Sequence, residues 1–314
     1  MYARISRLCL LLLALPYAAA RADAANPYFE LHQVGKGVWA AIVKHHSEGG
    51  GNSGFVVGSD SVLVIDTFAK REAAELLLAE IRKVTDKPVR YVVNTHYHGD
   101  HLTGNGVFAE QGAVIMAQRN VRTWERTENT RVFFGTPTPE FLEEMSTLTL
   151  PTLTYQDGVE VYLGDRRVVV RVMPGHTGSD SVVIVPDAKV VFTGDLFWYH
   201  ALPNLVDANT AQQIASDGTL ADEYPDATFV PGHWELATAG DLRAFRGYLV
   251  DLRQAVAAAQ AAGKSGQGLV DEVKPVLKRK YADWLGFDFF LPLNVAQTAA
   301  ELDGTKQLPV PAAL

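Results

Sequence analysis

The sequence predicts an α/β fold in which two mixed β-sheets pack together and helices cover their outer faces. Short apolar runs of strand length recur in two similar halves of the chain, and segments with helical spacing separate them. Of the 314 residues, 47% are hydrophobic and 20% are charged. This composition is typical of a globular protein with a sizeable core. Alternating strands and helices predict sheets with helices packed against them.

The first half contains five apolar runs that predict strands. They cover residues 38–43, 54–57, 62–65, 89–94 and 112–116. A helix is predicted over 70–84, because Ala74, Leu77 and Ile81 repeat at helical spacing. Residues 128–155 are rich in Thr and Pro and include Phe133 and Phe134. We expect this segment to form a loop or a helical insertion over the site.

The second half predicts another series of strands, followed by helices. The strands are expected at 159–163, 168–173, 181–185, 190–193 and 228–230, and the helices at 209–222, 240–262, 269–281 and 293–303. Both halves are expected to share one core in a single domain, residues 25–262. Residues 263–314 are expected to form a helical extension packed on that domain.

The N-terminus has the residue order of a secretory signal peptide. Arg4 and Arg7 precede an apolar run over 8–15, and small residues follow at 18–20 and 22–24. A transmembrane anchor is the alternative, but a span needs about 20 apolar residues. We therefore expect residues 1–24 to be cleaved, and the protein to be secreted or periplasmic without a stable membrane anchor.

Charge and cysteine content narrow the possible partners and chemistry. The only cysteine, Cys9, lies in the predicted signal peptide, so a cleaved chain has no thiolate ligand, thiol nucleophile or disulfide. The formal net charge of −8 argues against nucleic acid or an anionic membrane as the main partner. The expected partner is a small-molecule substrate. The sequence gives no indication of the oligomeric state.

The segment from 96 to 101 has the ligand types of a metal site. His96, His98, Asp100 and His101 directly follow the predicted strand at 89–94. Alternate residues of an extended chain point the same way, so His96 and His98 can reach one metal, while Asp100 and His101 can reach a second. Imidazole and carboxylate ligands suit zinc, iron or manganese. The alternative interpretation, a solvated polar loop, does not account for so many ligands after a buried strand.

Three later residues share the same context. His176, Asp195 and His233 each follow a short apolar strand and lie in a turn that contains Gly or Pro. Any one of them alone would be interpreted as a polar loop residue. Their common position at strand ends favours a shared site, because strand ends converge on one edge of a sheet.

The H-x-H-x-D-H motif followed in order by these three residues resembles the metallo-β-lactamase superfamily, over roughly residues 35–240. The resemblance implies a four-layer αβ/βα sandwich, with a site for two Zn²⁺ ions at one edge and iron or manganese as alternatives. It implies a first metal bound by His96, His98 and His176, a second bound by Asp100, His101 and His233, and Asp195 bridging the two. A hydroxide would complete the bridge and attack a carbonyl group. Asp100 would orient the attacking water or receive a proton.

Asp195 affects which activity the resemblance implies. β-Lactamases of this superfamily usually have Cys or Ser at the bridging position, whereas glyoxalase II, lactonases and several sulfatase-like relatives have Asp. We therefore predict an exported dinuclear zinc hydrolase that acts on an ester, thioester, lactone or β-lactam, with β-lactamase activity as one option. The alternatives are an iron-dependent oxidoreductase similar to persulfide dioxygenases, and a non-enzymatic metal-binding protein.

Several neighbouring residues have two interpretations. Asp66, after the strand at 62–65, is expected either to accept a hydrogen bond from a ligand histidine or only to start a turn. Thr177, Ser179 and Asp180 either support the His176 loop or form an ordinary turn. Aromatic residues such as Trp198 and Trp234 either line a pocket or pack in the core. His32, His45 and His46 are expected at the surface, the last two near the mouth of the site.

Overall fold

The computed structural model describes residues 26–131 and 136–311. The predicted signal peptide and the phenylalanines at 133 and 134 lie outside these ranges, and so does the predicted cleavage site. Within the described ranges, no helix combines the length and the apolar character that a membrane span needs.

Seven strands of the described chain form the first sheet, and they follow one another in chain order. They are β1 (Phe29–Gly35), β2 (Val38–Val43), β3 (Ser53–Val57), β4 (Val62–Ile65), β5 (Val89–Asn94), β6 (Val114–Gln118) and β7 (Leu153–Tyr155). The pairs from β1 to β4 are antiparallel, and those from β4 to β7 are parallel. The carboxyl ends of β4, β5 and β6 therefore meet at one edge of the sheet.

Five strands form the second sheet in the order β12-β11-β10-β9-β8, counted over the described residues. They are β8 (Gly158–Leu163), β9 (Arg166–Val172), β10 (Ser181–Val185), β11 (Val190–Trp198) and β12 (Thr228–His233). Only β11 and β12 are parallel to each other. Both sheets are mixed, as the sequence predicts.

The helices connect the strands and follow them at the C-terminal end. In chain order they are α1 (Arg71–Val84), α2 (Gly99–Leu102), α3 (Asn105–Ala109), α4 (Arg119–Trp124), α5 (Pro139–Ser146), α6 (Thr210–Glu223), α7 (Ala239–Ala261), α8 (Gly266–Tyr281) and α9 (Phe287–Leu302). The long helix α7 begins with a capping box. In it, the Thr238 hydroxyl accepts from Asp241 N, and the Asp241 carboxylate accepts from Thr238 N.

Buried apolar side chains define four layers. Leu63 of the first sheet and Val183 of the second belong to one cluster that fills the space between the sheets. Leu77 of α1 belongs to a second cluster on the outer face of the first sheet. Phe245 of α7 belongs to a third cluster, on the outer face of the second sheet, and Leu277 of α8 joins it there. The arrangement is the four-layer αβ/βα sandwich that the resemblance implies, with the C-terminal helices packed on one outer layer.

Two segments differ from the predictions. The segment 128–155 contains α5, but it is not wholly a loop or helical insertion, because residues 153–155 add β7 to the sheet edge beside β6. A strand of three residues is too short to show an apolar period in the sequence, so only its pairing with β6 defines it. Helix α9 begins at Phe287, six residues before the predicted start, and so includes Pro292, a residue that normally disfavours a helix interior.

One strand is additional to those that the sequence predicts, and another is longer than predicted. β1 was not predicted, and it is defined by its antiparallel pairing with β2. β11 continues past the predicted end at 193 as far as Trp198, and its nine residues are all buried. Asp195 therefore lies within the strand itself, at an irregularity in its pairing with β12 between Gly194 and Trp198.

Glu125, directly after α4, is a buried carboxyl group for which the described chain supplies no hydrogen-bond partner. Burial raises the pKa of Glu125 from 4.5 to about 8, and the nearby Arg126 and Arg122 oppose the shift. As the pH rises between these values, the unfolded chain ionises while the folded chain keeps the proton. This group therefore reduces stability progressively over that range, by up to about 1.4 kcal/mol per pH unit.

We expect Glu125→Gln to change the free energy of unfolding in a pH-dependent way. At each pH, the free energy of unfolding of the variant is compared with that of the unsubstituted protein. This difference should favour the variant more at pH 8 than at pH 5, by roughly 2 to 4 kcal/mol. Urea unfolding at both pH values measures this difference, and Glu140→Gln on the exposed surface of α5 is the control. Equal stability differences at the two pH values would contradict the prediction.

Candidate metal centre

Four of the predicted ligands form one cluster at the edge where the strands end. The ligand atoms of His96, His98, His176 and Asp195 lie within 4.8 Å of one another. His98 Nδ1 is 3.0 Å from His176 Nε2, and Asp195 Oδ2 is 3.3 Å from the same His176 atom and 3.7 Å from His96 Nε2. These atoms face a common point.

The remaining three predicted ligands form a second cluster beside the first. The ligand atoms of Asp100, His101 and His233 also lie within 4.8 Å of one another. Asp100 Oδ2 is 3.2 Å from His233 Nε2 and 3.6 Å from His101 Nε2. Asp100 is the most accessible of these ligands, with 36% of its side chain exposed, so the site opens to solvent on its side.

Asp195 joins the two clusters, because its two carboxylate oxygens face different histidines. Oδ2 faces His176 and His96 as described above. Oδ1 lies 3.1 Å from His101 Nε2 and 3.4 Å from His233 Nε2. The structure therefore brings all seven sequence-predicted residues together and puts the predicted bridging residue between the two groups.

The chemistry of these side chains fits a metal ion. His96 Nε2, His101 Nε2, His233 Nε2 and Asp195 Oδ1 are buried without a hydrogen-bond partner in the described structure. Buried polar atoms normally have partners, since leaving one unpaired costs about 1 to 3 kcal/mol. Bound cations would satisfy these atoms. The cluster could therefore bind metal ions of the kind that imidazole and carboxylate ligands prefer.

Electrostatics differ between the two clusters. Burial lowers the pKa of His96 well below its ordinary value and that of His176 to about 3, although Asp195 opposes both shifts. These two rings are therefore neutral and present lone pairs. Burial also opposes a charge on His101 and His233, but Asp195 and Asp100 raise the pKa of both, that of His233 to about 9. The second cluster thus attracts positive charge.

Both ligand carboxylates are ionised. Burial disfavours the charge on Asp100 and Asp195, but the surrounding histidines hold the pKa of each below its ordinary value. Two anionic carboxylates face the ring nitrogens without forming regular hydrogen bonds to them. A pair of bound cations would require such an arrangement of carboxylates and ring nitrogens.

The predicted alternative in which Asp66 bonds a ligand histidine is the one observed. Asp66 Oδ2 is 2.9 Å from His101 Nδ1 and accepts from the Thr95 hydroxyl at 2.8 Å. The same hydroxyl lies 3.0 Å from His96 Nδ1. Asp66 therefore orients one histidine of each cluster, one directly and one through Thr95. Its backbone has φ 54, a region that non-glycine residues seldom adopt.

Asp180 supports the loop that carries His176. Its carboxylate accepts hydrogen bonds from Gly175 N and Thr177 N, both at 2.8 Å, and from the Thr177 hydroxyl at 2.5 Å. The Ser179 hydroxyl lies 3.0 Å from that of Thr177. The loop is thus closed by its own side chains, as one of the two interpretations predicts.

Backbone from the Gly-rich turn at residues 48–52, between β2 and β3, passes directly over the second cluster. Gly51 N donates to Asp100 O at 3.0 Å, and a Cβ atom at Gly51 would overlap the His101 ring. A Cβ atom at Gly232 would likewise overlap the carboxylate of Asp195. Glycine is required at both positions because the backbone and a ligand occupy adjacent space.

Two tryptophans lie near the second cluster, and Trp198, only 8% exposed, belongs to the apolar cluster on the outer face of the second sheet, as the core interpretation predicts. The Trp198 ring centroid is 4.2 Å from that of His233, and His45 stacks on Trp234 at 4.6 Å. His45 Nε2 also lies 2.8 Å from Glu235. Trp124, by contrast, is buried against Tyr97 in a small core beneath α5.

Sequence reasoning missed several residues that shape the site. Asn52 donates its side-chain amide to Pro231 O and Trp234 O, at 3.0 and 2.7 Å, and so fixes the turn that carries His233. Asn129 accepts from Gly99 N at 2.8 Å. Neither asparagine lies in a recognisable motif. Only the position of Asn52 in the Gly-rich turn could have suggested a role.

Comparison with known proteins identifies the family. A family profile described as the metallo-beta-lactamase superfamily matches residues 46–233, more than half of the chain. The chain belongs to that superfamily. The solved structure of a metallo-beta-lactamase from Pontibacter korlensis has a TM-score of 0.58 and 23% identity, and the match covers 71% of this chain and 99% of that one. This likeness shows the shared fold.

The curated relatives are hydrolases of different kinds. An acyl-coenzyme A thioesterase of Homo sapiens is 28% identical over 244 residues, which cover 71% of this chain and 86% of that protein. A hydroxyacylglutathione hydrolase of Brucella anthropi is 32% identical over 146 residues, 46% of each protein. A linear primary-alkylsulfatase of a Pseudomonas species is 22% identical over 175 residues, and the match spans only 33% of its length. The chain is thus a member of a superfamily of metal-dependent hydrolases.

We expect Gly51→Ala to weaken metal binding, because the added methyl group would displace the His101 ring. Metal affinity should fall by about tenfold or more, as when the support of a ligand is lost. Metal content after dialysis against a weak chelator measures the effect. Gly268→Ala is the control, since a Cβ atom there meets nothing within 4 Å. Full metal retention in Gly51→Ala would show that the turn does not hold His101 in place.

Proposed function

We propose that this protein is a dinuclear zinc hydrolase that cleaves the carbonyl bond of an ester, thioester, lactone or β-lactam. One observation carries the proposal: the carboxylate of Asp195 divides its two oxygens between two ligand clusters. A residue that serves only one ion has no reason to be placed in this way. Zinc is proposed because the ligands are imidazoles and carboxylates, and because no thiolate is present beyond Cys9.

Two bound zinc ions would supply an activated water as nucleophile and a Lewis acid for the substrate carbonyl. The side chains of the chain have separate tasks around that chemistry. Asp195 holds the two clusters at a fixed separation, and its buried negative charge lowers the cost of assembling two cations. Asp100 lies at the open side of the site, so it is placed to orient a water molecule or accept a proton.

Thioesters are the first substrates to test. One relative is named an acyl-coenzyme A thioesterase and another a hydroxyacylglutathione hydrolase. The bridging Asp195 agrees with this preference, since the resemblance associates an aspartate there with glyoxalase II and lactonases. β-Lactam hydrolysis is expected to be slower than thioester hydrolysis.

A substrate panel with metal analysis tests the proposal. Purified protein is loaded with zinc and assayed with an acyl-coenzyme A, an acylglutathione, a lactone, an alkyl sulfate and a chromogenic cephalosporin. We expect thioester turnover that a chelator abolishes and that zinc restores. Turnover that chelation leaves unchanged would overturn the metal mechanism. Iron in the isolated protein together with oxygen uptake, or sulfate release alone, would overturn the assigned reaction.

Substitution of single ligands tests the two-metal site. We expect Asp195→Ala and His101→Ala each to lower second-metal occupancy and to reduce turnover by about 100-fold or more, because charge stabilisation in the transition state is lost. The fold should persist, as judged by circular dichroism. His32→Ala is the matched control, since the side chain of His32 is 44% exposed, lies 4.0 Å from Glu30 and belongs to neither ligand cluster. Full activity of either ligand variant would remove that residue from the site.

We also propose that the protein is exported, on the basis of the charged, apolar and small residues in order over 1–24. Mass spectrometry of the protein recovered from the periplasm should find a chain that starts near residue 21 or 25. An intact N-terminus in the cytoplasmic fraction would overturn this part of the proposal.

A further inference from the structure

Asp207 is a buried carboxylate beside the first cluster that is not one of the seven proposed ligands. It lies in the connection between β11 and α6, and its side chain is completely buried. Asp207 Oδ2 is 3.7 Å from His98 Nε2. A buried carboxylate is costly unless it has partners, so its position behind a ligand histidine calls for an explanation.

The orientation of the His98 ring determines which nitrogen faces Asp207. His98 Nδ1 points to His176 Nε2, 3.0 Å away, on the side where the first cluster converges. A neutral imidazole that presents the lone pair of Nδ1 carries its proton on Nε2. The N–H group of His98 is therefore directed at Asp207, whose Oδ2 lies 3.7 Å from Nε2.

Asp207 is itself held at both oxygens. The Tyr97 hydroxyl donates to Oδ2, and Arg131 Nε donates to Oδ1 at 3.2 Å. Tyr97 is fully buried, and the side chain of Arg131 is 30% exposed. With one partner on each oxygen, the plane of the carboxylate is fixed, and Oδ2 stays directed at His98.

The segment after α9 secures this arrangement from outside. Lys306 Nζ donates to the carbonyl oxygens of Leu205, at 2.8 Å, and of Ala208, which flank Asp207 in sequence. Arg131 donates a second hydrogen bond, from Nη2 to Gln307 O. Residues 304–311, here called the C-terminal tail, therefore hold both the loop of Asp207 and the arginine that binds it.

We propose that Asp207 is a positioning residue for His98. It keeps His98 in the tautomer with the proton on Nε2, so that Nδ1 is available to the first metal, and the C-terminal tail keeps Asp207 in place. The inference rests on the proposed metal-binding function of His98. Carboxylates behind ligand histidines typically contribute 10- to 100-fold to metal affinity. Asp66 stands behind His101 in a similar way, at 2.9 Å from Nδ1, so a buried carboxylate would support a histidine in each cluster.

Cobalt binding by the full-length protein tests the proposal without relying on activity. Metal-free protein is titrated with Co²⁺ against a competing chelator, and the ligand-field absorption bands are recorded. We expect Asp207→Ala to weaken one of the two binding steps by about 10- to 100-fold and to change its bands. Asp207→Asn, which keeps the shape and one acceptor oxygen, should give a smaller loss. Asp222→Asn, a 78% exposed aspartate paired only with Arg243, is the control.

Proton NMR of the cobalt-loaded protein gives a readout that a merely structural role would not move. The Nε2 proton of His98 should give an exchangeable signal shifted by the metal, and that signal should be lost to solvent exchange in Asp207→Ala. Unchanged affinity and an unchanged signal in Asp207→Ala would overturn the inference. If the unsubstituted protein binds no cobalt, the proposed function itself fails, so the two failures are distinguishable.

Lys306→Met tests the contribution of the tail. We expect the same binding step to weaken by roughly 3- to 10-fold, less than for Asp207→Ala, because the carboxylate itself is retained. Lys264→Met, at an exposed lysine 3.9 Å from Glu272, is the matched control. An affinity equal to that of the control would exclude the tail from the support of His98.

Discussion

The buried charge of Asp195 is the constraint on which the rest of the site depends. Its carboxylate is 2% exposed and lies within reach of four imidazoles, so it can remain ionised only because positive charge is close. The histidines provide that charge only in part, since burial lowers the pKa of His96 and His176 and keeps both rings neutral. Bound cations would supply the remaining positive charge, and the fold holds the ligand side chains at a suitable spacing for them.

The fold meets this requirement by joining its two halves at the ligand edge. Backbone hydrogen bonds connect Asn52 to Gly232 and Ser181 to Thr95 across the sheets. β11 extends through Asp195, which lies at an irregularity in its pairing with β12. His96, His98 and His176 lie in turns that follow other strands, whereas Asp100 and His101 belong to α2 and His233 ends β12. Rigid strands set the spacing of the clusters, and close backbone approaches such as that of Gly51 keep the turns in place.

Each turn has its own support, and the supports follow one principle. Asp66 orients His101 and, through Thr95, His96, while Asp180 closes the loop of His176. Such carboxylates fix ring orientation and tautomer more firmly than packing alone, because a hydrogen bond is directional. The opening beside Asp100 is instead lined in part by Phe141 and Met145 of α5, which are not among the candidate ligands. Members of this superfamily could therefore share ligand geometry while differing in the surfaces around it.

The fold class and the candidate ligand residues could be predicted from the sequence alone. His96, His98, Asp100 and His101 stand in one short segment, and the apolar periods that predict strands and helices are local properties of the chain. Tertiary structure alone decided which carboxylate oxygen faces which cluster, that residues 153–155 join a sheet, and that Asn52 and Asn129 hold the turns. These features depend on contacts between residues far apart in sequence, and no local pattern encodes such contacts. The role of Asp66 could be predicted only in part. Its position after a strand suggested that it bonds a ligand histidine, and the fold brings His101 within hydrogen-bond distance of it.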